Sequence, residues 1–361
     1  DKIHAGEGLP QAYTGKGVIA GIVDNGFDVN HINFRNEDGS SRIKQMSHIY
    51  VNDYSTTGYN RDVYTSETLK DFYTDAYDNY HGSHTLGIMA GGYKGKVNMA
   101  EKITQFIVIA EERDNPYYGV APESDIVASC GDLNTMFIAM GVEDILNYAY
   151  DNDQPAVINL SLGSNIGSHD GKGVMSQYLD IVGQEAIICL SAGNEGDIPI
   201  ALNKTFTKSD TVLKTFIEPM YDMTSYGYEN FRQGSLDIFC DDETPVLAKV
   251  IIYNKKRGTV AFSIPISENT GGVPIYYSTP EYASAGDYSN ANFTKAFKGY
   301  VGIGSEIDSY SGRYHVIVDY LTIDNTEKNV DGNYMLGIEV VGKEGQRVDC
   351  FVDGYYTDFA S

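Results

Sequence analysis

The stretch GVIAGIVDNG, residues 17–26, decides the fold. It is a short, almost unbroken apolar run that closes on an aspartate, an asparagine and a glycine. Such a run reads as a strand buried on both faces and ended by a turn. The same grammar recurs downstream. ITQFIVIAEE (103–112), SDIVASCGD (124–132), PAVINLSLGS (155–164) and EAIICLSAGNEGD (185–197) read as further strands. Between them, TMFIAMGVEDILNYAYDN (135–152) and GVMSQYLDIVGQ (173–184) carry apolar residues at helical spacing. Buried strands alternating with helices predict an α/β unit, a doubly wound and mostly parallel sheet covered on both faces.

Beyond about residue 200 the pattern changes. TVLKTFIEP, SLDIFCDD, PVLAKVIIYNKK, GTVAFSIPI, RYHVIVDYLTI, YMLGIEVVG and QRVDCFVDGYY alternate apolar and polar residues with a period of two. Clusters of Gly, Asn, Asp and Ser separate them, and no long helical pattern intervenes. This predicts an all-β sandwich of jelly-roll type. The expected division is 1–203 for the α/β unit and 204–361 for the β unit.

Composition narrows the function classes. A net charge of −24 offers nothing to neutralise phosphates, so nucleic acid is not an expected partner. The acidity is read as solubility, and calcium affinity would need a defined site. No apolar run reaches membrane-spanning length. Cys130, Cys189, Cys240 and Cys350 are scattered without a CxxC spacing, so zinc is not expected; Cys130 and Cys189 are expected simply to pack. The 29 tyrosines, most of them in polar and β-rich stretches, favour a secreted or cell-envelope location. Asp1 opens the chain without a methionine or leader, which reads as a processed or trimmed form.

Parallel sheets react at the carboxyl ends of their strands, and three polar clusters fall there. Asp24 ends the first strand. His81 opens the apolar helical run HGSHTLGIMAGG (81–92), with His84 one turn on. As a zinc pair, His81 and His84 lack a third ligand and an intervening glutamate. One reactive histidine at the mouth and one packed behind it is the preferred reading. Ser191-Ala192-Gly193-Asn194-Glu195-Gly196 follows the strand AIICL, and an asparagine amide between glycines can donate to a developing oxyanion. Each cluster alone is ambiguous with a turn or cap.

Taken in order, the motifs resemble those of the subtilase family of serine peptidases. VDNGFDVNH (23–31) is similar to the family's Asp motif, HGSHTLGIMAGG to its His motif with Ser83 for the usual Thr, and GVAPESDIVASC (119–130) to the turn and strand that follow. INLSLGS (158–164) resembles the substrate-backbone strand and SAGNEG (191–196) the oxyanion segment. The resemblance spans roughly residues 10–200. It implies that Asp24 orients His81, that His81 is the general base, and that Asn194 stabilises the oxyanion. It further implies that Gly131, Asp132 and Leu133, with Ser161, Leu162 and Gly163, pair with a protein or peptide substrate. Ser191, Ala192 and Gly193 would wall the first specificity pocket, with Glu195 at its base. No cofactor is required by this chemistry. A structural calcium ion is the family's alternative for the acidic loop Glu111, Glu112, Asp114 and Asn115, where a plain surface loop is preferred.

The family's nucleophile segment, a Gly-Thr-Ser opening a helix, has no counterpart here. Ser235, Ser305, Ser311 and Ser361 lack that context and are rejected. The expectation is that the chain stops before the serine, with the β unit inserted ahead of it. The alternative is a non-catalytic scaffold that binds peptides or adheres.

Overall fold

The computed structural model describes residues 2–72, 80–103, 108–219, 231–266, 270–323, 334–353 and 357–359. The chain divides into two compact units, one of Asp1–Gly163 with Met175–Ala192 and one of Ser164–Val174 with Gly193–Ser361.

In the first unit, after a short helix α1 (Lys2–Ala5), come β1 (Ile19–Asp24), β2 (Ile43–Val51), β3 (Tyr59–Thr65), α2 (His81–Ala90), β4 (Lys96–Ile103), β5 (Val108–Asp114), β6 (Asp125–Gly131), α3 (Thr135–Asp151), β7 (Ala156–Leu160), α4 (Val174–Val182) and β8 (Ile187–Leu190). The main sheet has the order β3-β2-β6-β1-β7-β8. β2, β6, β1, β7 and β8 run parallel, and β3 pairs antiparallel to β2. All six residues of β1 are buried, as its unbroken apolar run requires.

Strand alternation sorts the two faces. Ile19 and Val23 share a core with Ile138, Val142, Ile145 and Ala149 of α3. Ala20 and Ile22 share the opposite core with Leu86 and Ala90 of α2. Asp24 has the parity of Ala20 and Ile22, so its side chain falls on the face covered by α2. The helix α3 begins where expected because the Asn134 side chain accepts from Phe137 N at 2.9 Å. A buried guanidinium ties the far end of α2: Arg42 donates to Ala90 O at 2.5 Å and to Ser124 O at 2.7 Å.

One strand differs from expectation. Of the run ITQFIVIAEE, the described residues do not enter the parallel sheet: Ile103 ends β4, and Val108–Glu112 begin β5, which forms a two-stranded antiparallel hairpin with β4; residues 104–107 lie outside the described residues. Glu111, Glu112, Arg113 and Asp114 are exposed there, and a strand with four such charges cannot be buried on both faces.

The second unit holds β9 (Ala201–Thr205), β10 (Val212–Pro219), β11 (Phe231–Cys240), β12 (Leu247–Asn254), β13 (Thr259–Pro265), β14 (Ile275–Ser278), a short α5 (Ala291–Ala296), β15 (Gly299–Ile307), β16 (Tyr314–Ile323), β17 (Tyr334–Val341), β18 (Arg347–Val352) and β19 (Thr357–Phe359). They form antiparallel sheets of order β13-β12-β17-β10-β19 and β14-β15-β16-β11-β18-β9. Leu213, Val250 and Ile338 from the first sheet meet Ile238, Val316 and Val348 from the second in one core. Residue 204 of the expected division lies within β9, whose register pairs Lys204 with Val348.

Candidate active site

Asp24 and His81, 57 residues apart in sequence, meet in the first unit. His81 Nδ1 lies 2.9 Å from Asp24 Oδ1 and 3.1 Å from Oδ2. The carboxylate is 2% exposed and the imidazole 44%. Burial of the acid demands that its oxygens be satisfied, and they are. Asn25 N donates to Oδ1 at 2.8 Å, and Thr85 Oγ1 donates to Oδ2 at 3.1 Å. Thr85 follows His81 by four residues and therefore lies on the same helical face.

The local sequence explains why the helix starts so close to the strand. A side chain at Gly82 would collide with the carbonyl oxygen of Gly26, and its Cβ would sit 3.2 Å from Asp24 Cβ. Tyr80, in the left-handed conformation at φ 64°, turns the chain into the helix. Ser83 accepts from Asp28 N at 2.7 Å and so fastens the loop after β1 to the helix. A hydroxyl suffices for that bond, which accounts for serine serving here.

His84 is exposed, against the expectation that it packs behind His81. The buried residues of α2 are Gly82, Leu86 and Ala90, at a spacing of four. His84 lies about 200° around the helix from Gly82 at ~100° per residue, on the outer face. Cys189 is exposed as well, because β8 ends the sheet, whereas Cys130 is buried as expected.

The remaining predicted residues are placed as follows. Gly131 N donates to Asn25 O at 3.3 Å, Asp132 N to Ile49 O at 3.0 Å, and Asp132 Oδ2 accepts from Val51 N at 2.7 Å. The Asp132 carboxylate thus closes the end of β2, and Leu133 packs against the α3 core. Ser161 Oγ accepts from Asn159 Nδ2 at 2.9 Å. Ser191 Oγ donates to Leu162 O at 3.1 Å, and its N–H to Leu160 O at 3.2 Å, joining the Ser161–Gly163 stretch to the segment after β8. Ala192 is exposed, as is Gly163. Gly193 and Asn194 open the second of the two stretches that make up the second unit. There Asn194 is exposed, and its N–H donates to Glu195 Oε2 at 2.9 Å, so Glu195 closes its own turn.

The acidic candidates for calcium stand on a strand, not in a loop. Glu111 pairs with Arg113 at 2.6 Å and Asp114 with Lys96 at 3.0 Å. Glu112 is exposed beside them. Among the described residues no group of three or more His, Cys, Asp or Glu is arranged to hold a metal ion.

The rejected serines have other duties. Ser235 N donates to Asp353 Oδ2 at 3.1 Å, Ser305 is buried with its N–H on Thr270 Oγ1 at 2.9 Å, and Ser311 N donates to Asp308 Oδ2 at 2.7 Å. Ser361 lies outside the described residues.

The site so described is an aspartate ending a buried parallel strand, hydrogen-bonded to a histidine that opens α2. A model of the subtilase family matches residues 15–218, more than half of the chain, and the chain belongs to that family. No curated protein matches it. Among solved structures it is similar to the Clostridium perfringens CspB protease, with a TM-score of 0.63 at 20% identity over 97% of this chain. It spans 65% of that protease's length, so the likeness is one of fold. The S41 psychrophilic protease (TM-score 0.34, 22% identity, 55% of this chain and 53% of that one) and sphericase (0.34, 18%, 54% and 51%) are more distant.

Proposed function

We propose that this chain carries the acid and base of a subtilisin-like serine endopeptidase, with the nucleophilic serine supplied from outside these 361 residues. The observation that carries the reading is the Asp24–His81 hydrogen bond of 2.9 Å with a buried acid and a half-exposed imidazole. A carboxylate on Nδ1 favours the tautomer protonated there and makes Nε2 the accepting nitrogen. His81 then takes the proton of the attacking hydroxyl and returns it to the leaving amine. Asn194 is assigned the oxyanion donor by motif order, and the extended stretches 131–133 and 161–163 are assigned to pair with the substrate backbone as added strands. Ser191, Ala192 and Gly193 line the first specificity pocket in this reading, and Glu195 lies at its base. The protein acts outside the cytoplasm, on protein or peptide substrates.

The test is fluorophosphonate labelling of the full-length gene product. Labelling that His81→Ala abolishes, at unchanged folding, supports the reading. A folded full-length protein that never labels yet binds peptides sinks it in favour of a non-catalytic binding scaffold.

A further inference from the structure

The outer side of the six-stranded sheet in the second unit carries a cavity of about 240 Å³ lined by Tyr276, Ser278, Tyr282, Ser284, Asp287 and Tyr300. It has no part in the peptidase chemistry. Three of its six walls are phenol rings, one is a carboxylate, and none is basic.

The cavity is held in shape by backbone. The segment after β14 folds back along that strand: Tyr288 N donates to Tyr276 O at 2.8 Å and Ser278 N to Tyr288 O at 3.2 Å. Thr279 N donates to Gly299 O at 2.9 Å, pinning the start of the segment to β15. This return brings Tyr282, Ser284 and Asp287 over the rings of β14 and β15. Tyr276 and Tyr300 meet edge to face, with centroids 5.5 Å apart. Gly302 sits between Tyr276 and Asp319 in the cross-strand row, and its lack of a side chain lets the Tyr276 ring lie beside the Asp319 carboxyl. A Cβ there would press on both the Asp319 carboxylate and the Tyr276 ring.

Charge then selects the ligand. Asp287 Oδ2 accepts Ser278 Oγ at 2.6 Å and Ser284 N at 2.9 Å. Both donors use the same oxygen, and no described residue donates to Oδ1. These bonds, first that from Ser278, hold the Asp287 carboxyl below its usual range, so it is a fixed anion. Glu281 adds a carboxyl beside Tyr282, while Asp319, which burial pushes up, accepts from the Tyr276 hydroxyl and holds that ring in place. Burial, then Asp319, pushes the Tyr276 phenol up to about 12, so its ring stays neutral. A neutral aromatic wall facing an anion is the chemistry that recognises an organic cation. Calcium takes six to eight oxygens, mostly carboxylates, carbonyls and waters, and one carboxylate among two serine hydroxyls and three phenols is a poor match. The volume is below the roughly 300 Å³ of a site for a whole small-molecule ligand and suits one long side chain.

We propose that this cavity binds the ammonium or guanidinium head of a lysine or arginine side chain of a polypeptide. The charged head meets Asp287 Oδ1, and its aliphatic stem lies against Tyr276, Tyr282 and Tyr300. It is a docking point independent of the Asp24–His81 pair, and it stands whether or not the peptidase reading does.

The test is calorimetric titration of the 361-residue chain at low salt with N-acetyl-lysine methylamide, N-acetyl-arginine methylamide, the norleucine counterpart and free lysine. The capped cations bind saturably, and the norleucine compound binds at least tenfold more weakly. Asp287→Asn weakens the cations at least tenfold, and Tyr282→Leu does so severalfold while leaving the carboxylate and the melting temperature in place. Free lysine, whose own carboxylate faces the acidic wall, binds less well than the capped form. Equal binding of norleucine, cation binding indifferent to both substitutions, or preferential binding of free lysine overturns the assignment.

Discussion

Two Asp–His hydrogen bonds of nearly equal length can be compared within this chain. Asp24 and His81 meet at 2.9 Å in the α/β unit, and Asp237 and His315 at 2.8 Å in the β unit. The resemblance ends at the bond. His81 is engaged through Nδ1 and its side chain is 44% exposed; His315 is engaged through Nε2 and is 11% exposed. His315 also stacks on Phe239, with centroids 4.0 Å apart, and faces Glu306 at 3.5 Å through Nδ1. Its acid is shared, because Asp237 Oδ2 accepts from Gly167 N at 2.9 Å. The half-exposed His81 imidazole meets what the base proposed above would need, and the His315 imidazole does not. Stacked and covered, the His315 contact is a clamp.

The sharpest way to break the comparison is to remove one partner of each pair in turn. His81→Ala is expected to abolish fluorophosphonate labelling of the full-length protein at a stability cost of about 1–2 kcal/mol, because the buried Asp24 carboxylate keeps its bonds from Asn25 and Thr85 and water can replace the half-exposed imidazole. Asp237→Ala is expected to cost about 3–5 kcal/mol in urea unfolding, because it strands a buried imidazole and the Gly167 amide. Equal stability losses at both sites would erase the distinction. Gly82→Ala comes next, at about 1–3 kcal/mol of overpacking, since the Gly26 carbonyl must move. It should also lengthen the Asp24–His81 contact, which the His81 ring resonances would report.

A smaller effect separates the β unit by pH. Glu339 accepts from Lys214 at 2.6 Å and Lys249 at 3.1 Å, and the Lys214 hydrogen bond above all holds its carboxyl below the usual range. A folded pKa below the unfolded one gives stability that is present above the unfolded pKa and is lost as pH falls through the folded pKa. The melting temperature of Glu339→Gln should thus fall less steeply between neutral and acid pH than that of the parent. Parallel curves would refute the assignment. Alkylation resolves the two regions last. Burial pushes the Cys240 thiol up to about 12 and the Cys350 thiol further, while Cys189 is exposed. Native iodoacetamide treatment, read by mass mapping, should mark Cys189 well before the other two.

Much of this is legible in the sequence, and for a physical reason. β1 and the middle of β6 are near-continuous apolar runs because both faces are covered, and Asp24 inherits its side of the sheet from a parity that can be counted. The 57-residue separation of Asp24 and His81 is bridged by motif, not by any local pattern. β2 and β3 are hard to read because β3 is largely exposed and carries no apolar stripe. The placing of His84 fails because a spacing of three says nothing of the helix's buried face, which runs through Gly82 and Leu86. The Asp237–His315 clamp and the tyrosine cavity leave no short signature; each is assembled by antiparallel register from strands 78 residues apart or from a returning segment.

The segment Ser164–Val174 has a further consequence. It leaves the α/β unit after Gly163, counts with the β unit, and returns at Met175. Its grip there is specific: Asn165 donates to Asp353 O at 3.1 Å, Arg313 donates to Ser168 O at 3.3 Å, and His169 stacks on Phe351 at 4.0 Å. The β unit is thus not a pendant on a single string. A protease nick near residue 193 would cut the backbone without releasing either piece, and excising 193–361 would leave this excursion with no surface to hold. For anyone trimming or grafting the molecule, the seam consists of three crossings rather than one.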